Sequence, residues 1–196
     1  MTKTGNIPVT DTEKRNLTRS WVFFLLAVIL YQILHEGSHL LTSLFFDEFE
    51  GLRFATIGPE VVYKTPVPER SGFHWTLISG MSSIITIILG YILLINSEKT
   101  ASLRNVNLKA LLFYTTLVLL ITDPLNLSVG PFLYGGDAPG VAKGMNVPVY
   151  LVQGLFFVIF LINRELVASI LLSTYKIETK HFLFRSWLRK SPRVGR

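Results

Sequence analysis

Four apolar blocks, each of nearly the length needed to cross a bilayer, constrain this chain more than any other feature. A hydrocarbon core takes roughly 20 helical residues to span. The first block runs from Trp21 to about Phe46, the second from about His74 to Ile95, the third from about Leu108 to Leu125, and the fourth from about Val149 to between Ile162 and Leu172. With 49% hydrophobic and 16% charged residues, the 196-residue chain is too apolar for a soluble domain of its length. The expected architecture is an all-α integral membrane bundle of about four transmembrane helices, forming one domain over 1–196. The lipid bilayer is its first partner.

Asn163, Arg164 and Glu165 interrupt the fourth block before Leu166–Leu172 resumes an apolar pattern. Either that helix ends near Ile162 and the rest lies in the interface, or an Arg/Glu pair enters the bundle. The first is the expectation. The opening block exceeds the roughly 7 to 15 residues of a signal-peptide core, and no small-residue cleavage site precedes the acidic FFDEFE, so it is expected to remain as a helix. With no cysteine in the chain, disulfides, thiolate ligands and cysteine nucleophiles are excluded.

Lys and Arg cluster in the N-terminal segment 1–20, in the loop holding Lys99, Arg104 and Lys109, and in the tail 174–196. The positive-inside rule places all three in the cytoplasm, together with both termini. The tail interleaves aromatics with cations, but beside a membrane this reads as a basic segment near anionic headgroups, with no nucleic-acid partner. Between the first two blocks, EGLRFATIGPEVVYKT carries β-branched and aromatic runs around Gly58 and Pro59, which predicts a small β-hairpin turning at Gly-Pro on the non-cytoplasmic side. Pro66 and Pro68 are expected to end it.

Inside the first block stands ILHEGSHLL, residues 33–41. His35 and His39 are four residues apart, so a helix puts both imidazoles on one face about one turn from each other. Two neutral imidazoles at that spacing can converge on Zn²⁺, and Glu36 projects beside the ion, where a carboxylate can take a proton from the attacking water and deliver it to a leaving amine. Ionisable groups at bilayer depth each cost roughly 2 to 3 kcal/mol or more, so three within five residues imply a shared purpose.

This HExxH in the first helix of a small polytopic chain resembles the site-2 protease family of intramembrane zinc metallopeptidases. LISGMSSIITIILG is similar to the family's AGPxxN segment at Ser79, Gly80 and Met81, with Met in place of proline and Ser83 where the asparagine would stand. DPLNLSVGPFLYGGDAPG looks like a permuted form of the family's NxxPxxPxDGG element. The resemblance spans Trp21 to about Gly140 and implies a zinc endopeptidase acting on membrane-protein or peptide substrates in or near transmembrane segments.

The family's third zinc ligand is an aspartate, which counting from Asn126 would fall at Tyr134; this chain instead offers Asp137 after Gly135 and Gly136. The glycines favour Asp137, because they let a chain bend back onto an ion. Asp123 is a rival that could simply cap or kink a helix before Pro124. His74 is a further candidate, though a His-Trp pair there also suits an interfacial anchor. The histidines lie roughly 21 to 27 Å past Trp21 at about 1.5 Å per residue, in the non-cytoplasmic half, so the third ligand must come from that side. Asn126 matches the family's asparagine, which implies a role in orienting substrate or stabilising an oxyanion; a helix-end hydrogen bond is its structural alternative. Rival functional readings are a non-proteolytic metal-binding or transport protein, which needs no general base, and an inactive relative of the proteases.

Overall fold

The computed structural model describes residues 11–55, 58–179 and 181–188, without the side chains of 11–16. Residues 1–10 and the basic stretch 189–196 lie outside the described residues. Four helices are long and apolar enough to cross a membrane: α1 (Asp11–Phe45, apolar from Leu17), α2 (Phe73–Ile95), α4 (Val106–Leu133) and α6 (Val149–Leu166, with its continuation to Thr174). Short helices α3 (Ser97–Ala101) and α5 (Ala138–Met145) join them. A two-stranded antiparallel hairpin, β1 (Phe49–Ala55) and β2 (Gly58–Tyr63), lies between α1 and α2. The chain is therefore a helical membrane bundle carrying one hairpin.

α4 occupies the middle and packs against α1, α2 and α6. Its two faces build separate apolar cores, Val118 and Leu119 with Ala27 and Tyr31 of α1, and Phe113 and Leu120 with Leu94, Val167 and Leu171. Leu25, Ile29 and Ile33, one turn apart on α1, are 55%, 56% and 63% exposed and form an outer face suited to lipid. Small hydroxyl residues fill the contact between α1, α2 and α4: Ser43, Ser82, Ser83, Thr86 and Thr116 are all buried. Such residues let helix backbones approach and hydrogen-bond across the bundle where no hydrophobic drive separates helix from lipid.

Three expectations are corrected. First, α4 does not stop at Leu125 but runs through Pro124 and Pro131 to Leu133. Proline 124 lacks the N–H that would serve the Leu120 carbonyl. Asn163 of α6 supplies the missing donor, its amide reaching the Leu120 carbonyl at 2.8 Å while its own oxygen accepts from Tyr91 at 2.5 Å.

Second, the fourth span does not end near Ile162. The helix continues as α6 to Leu166, through one π-helical turn (Val167–Leu171), to Thr174. Arg164 is buried, its guanidinium donating to the carbonyls of Leu183 at 2.5 Å, Phe182 at 2.8 Å and Arg185, pairing with Glu165 at 2.8 Å and lying 4.1 Å above the Trp187 ring. Glu165 accepts from Ser186 and the backbone of Trp187 and Leu188. The Arg/Glu pair is tolerated because the tail folds back and satisfies it.

Third, Gly58 and Pro59 are not the turn of the hairpin. They open β2, paired with Ala55 and Phe54, and the connection falls at 56–57, outside the described residues. A proline is acceptable in β2 because the hairpin has only two strands and its outer edge needs no ladder donor at that position.

Candidate metal centre

Helix α1 brings His35 and His39 onto one face, with ring centroids 4.8 Å apart. Each ring is oriented through its Nδ1 atom. In His39, Nδ1 donates to the Ile78 carbonyl of α2 at 2.8 Å; in His35, it lies 2.9 Å from Asp123 Oδ1 of α4. Both contacts fix the tautomer with the proton on Nδ1, which leaves the Nε2 lone pairs facing inward.

The third group arrives by the loop after α4. Gly135 and Gly136 have φ of +97° and +53°, a left-handed bend that turns the chain back and delivers Asp137 at the start of α5. Gly136 also passes so close to Asn126 that an added Cβ would lie 2.7 Å from Asn126 Oδ1. Helix α5 then seats tightly on α2, Gly140 against Ser79 and Gly144 against Thr76. Asp137 Oδ2 lies 3.2 Å from His35 Nε2 and Oδ1 lies 3.2 Å from His39 Nε2.

Ligand atoms from His35, His39 and Asp137 thus gather within 4.8 Å of one another, and this buried group could hold a metal ion. The donor set suits zinc. Bonds of about 2.0 to 2.1 Å to a tetrahedral ion separate neighbouring ligand atoms by roughly 3.3 Å, close to the spacing between the imidazoles and the carboxylate. Three protein donors would leave one position of a tetrahedral ion free. Side-chain exposure is 6% for His35, 4% for His39 and 20% for Asp137, so the aspartate side is the wetter one.

The other candidates fall around this centre in distinct places. Glu36, half-buried, stands on the hairpin side, where its carboxylate accepts from Val61 N–H of β2 at 3.2 Å and from Gln32 at 3.3 Å. Gln32 also reaches the Pro59 carbonyl at 3.2 Å, tying hairpin and helix together. Asn126 donates to Asp137 Oδ2 at 2.9 Å and accepts from Tyr134 at 2.6 Å, so both of its polar atoms are engaged. His74 packs at a tilt against Phe46 and Trp75 and is not one of the group of three.

Asp123 does not cap or kink the end of a helix. It lies inside α4, fully buried, and collects the Tyr31 hydroxyl at 2.9 Å, Ser83 at 3.1 Å and Thr86 in addition to His35. These hydroxyls, and Ser82 at 3.0 Å from His39 Nε2, were missed by reasoning from the histidine motif alone. The signal for them was present. Ser79, Ser82, Ser83 and Thr86 sit at i, i+3, i+4 and i+7 of an otherwise apolar span, a polar stripe that must face polar partners.

No family model, curated protein or solved structure matches the chain. Its chemistry is read from the geometry and from the motifs quoted above.

Proposed function

We propose that this chain is an intramembrane zinc endopeptidase of the kind implied by its likeness to the site-2 proteases, hydrolysing peptide bonds in or near transmembrane segments. One observation carries the reading. Two imidazoles whose Nδ1 atoms already face acceptors turn Nε2 toward a carboxylate, and three donors at that spacing call for a cation between them, a metal ion or protons on the rings, of which a metal ion satisfies all three at once. Beside them is a carboxylate that is not one of the ligands.

His35, His39 and Asp137 would hold the zinc, which when bound supplies Lewis acidity to a water and to a peptide carbonyl. Glu36 takes the proton of the attacking water and passes it to the leaving amine nitrogen. Its tether to Val61 N–H and Gln32 keeps the carboxylate oriented without placing it among the ligands. Asn126 acts as a positioning residue for Asp137, its amide being spent on that carboxylate. A substrate helix must unwind to expose its carbonyls, so small or helix-breaking residues are expected near the scissile bond. The Lys/Arg distribution favours a site in the non-cytoplasmic half.

A metal-binding or transport protein would need the three ligands but no general base, so Glu36 separates the readings. Purified wild-type chain should contain one zinc and cleave a transmembrane peptide in detergent or proteoliposomes. Glu36→Gln should retain zinc and lose cleavage by at least the 10² to 10⁴-fold typical of general-base removal. His35→Ala and His39→Ala should lose both. Wild-type turnover by the Gln variant would rule out the role of Glu36, and zinc binding without any cleavage by the wild type would favour the non-proteolytic reading.

A further inference from the structure

Far from the histidines, a second site stands between the start of α1, the start of α4 and the segment after α6. Arg19 and Lys109, both half-buried, line a cavity of about 260 Å³ together with Ser20, Phe113, Tyr114 and Tyr175. Among the described residues neither cation has a hydrogen-bond or ion-pair partner, and no carboxylate lines the cavity. Among the described residues, two positive charges share one open-sided space with no counter-charge. Such an arrangement favours an anion between them.

Its depth says what kind of anion. The apolar spans begin at Leu17 and Val106 and end at Thr174, so the cavity lies at the level where three spans leave the hydrocarbon on one face of the bundle. Arg19 is 16 residues from His35, roughly 24 Å along α1, so the cavity is separate from the metal centre. The aromatic wall is fixed, with the Phe113 ring tilted against Tyr175 at 5.0 Å, Tyr114 edge-on to Phe24 at 5.9 Å, and the Tyr175 hydroxyl bonded to Thr100 at 2.8 Å. A water takes roughly 30 Å³, so the space accommodates a group of several heavy atoms.

We propose that this cavity binds the phosphodiester headgroup of an anionic phospholipid, with Arg19 and Lys109 pairing the phosphate and the aromatic wall receiving the glycerol end. Basic pockets between transmembrane helices at the headgroup level suit that chemistry. The site is independent of the metal reading.

The test uses the full chain in detergent, titrated with phosphatidylglycerol or phosphatidylcholine of matched acyl chains, with bound lipid read by native mass spectrometry. One phosphatidylglycerol per chain should be retained at concentrations where phosphatidylcholine is lost. The double variant R19Q/K109Q should weaken this retention on the order of tenfold or more, whereas R19K/K109R should preserve it and report that the fold is intact. K99Q/R104Q, which removes cations of the same face but outside the cavity, should leave it unchanged. The proposal is overturned by undiminished retention in R19Q/K109Q, by an equal loss in K99Q/R104Q, or by millimolar inorganic phosphate displacing the lipid, which would assign the cavity to a soluble phosphate compound.

Discussion

Replacing Asp123 by Asn isolates the charge beneath His35 from the shape of the site. Asp123 Oδ1 receives the Tyr31 hydroxyl, Ser83 and the His35 ring, and Oδ2 receives Thr86. An asparagine oxygen can take the Oδ1 position and keep three of these contacts. Its amide would then face Thr86, whose hydroxyl has alternative acceptors in the carbonyls of Ser82 and Ser83, at 3.0 and 3.1 Å, and can turn to them. The fold should therefore survive, as Asp123→Ala would not, because alanine strands buried donors at roughly 1 to 3 kcal/mol each.

What is lost is the negative charge that raises the basicity of His35 toward a metal, while the hydrogen bond at its Nδ1 is kept. Removing such an outer partner typically costs 10- to 100-fold in metal affinity, or about 1.4 to 2.7 kcal/mol. Zinc titration against a competing chelator should show Asp123→Asn binding one zinc with a Kd raised by that factor. Asp137→Asn, which removes a ligand charge directly, should be weaker still. A Kd within twofold of wild type would refute the orienting role of Asp123. Loss of all zinc from Asp123→Asn with retention in Asp137→Asn would reverse the assignment of ligand and support.

Three further outcomes are expected. Gly136→Ala places a Cβ at φ +53° and against Asn126, a strain of about 1 to 2 kcal/mol that should raise the zinc Kd roughly 5- to 30-fold; an unchanged Kd would show that the loop does not need its left-handed bend. Asn163→Leu leaves the Leu120 carbonyl without a donor and should lower thermal stability by roughly 1 to 3 kcal/mol, with Pro124→Ala restoring part of it by returning the helical N–H, and absence of that rescue in a double-mutant cycle would dispose of the repair. A reporter fused after Arg196 should be cytoplasmic and one inserted near Gly58 should be outside or membrane-shielded; an external C-terminal reporter would contradict the positive-inside reading.

The spans were legible because length and apolarity are local properties, and His35 with His39 because four-residue spacing on a helix is decided within one element. The helix ends were not. Pro124 is a strong local reason for α4 to stop, and only Asn163, arriving from another span, makes it cheap to continue. Arg164 and Glu165 look like a helix end until the carbonyls and amides of 182–188 are seen to satisfy them. Helix α5 was invisible for a similar reason. Two glycines and a proline in APGVAKGM argue against a helix, but the same glycines let it lie directly on Ser79 and Thr76 of α2.

The two aspartates show where such reasoning reaches its limit and how it can be extended. Each was visible as an acid toward or just past the C-terminal end of α4, and the glycines before Asp137 gave a physical reason to turn it toward the histidines. Nothing near Asp123 gave an equivalent reason, because all its partners are remote: Tyr31 and His35 on α1, Ser83 and Thr86 on α2. A polar stripe on one apolar helix nevertheless demands a polar partner on another, since hydroxyls facing lipid gain nothing and hydroxyls facing a buried carboxylate offset its burial. The stripe on α2 and the lone acid inside α4 are therefore a matched pair of demands. The HExxH helix supplies the third side, and its His35 joins them: the residue that points one nitrogen at Asp137 points the other at a carboxylate already surrounded by three hydroxyls.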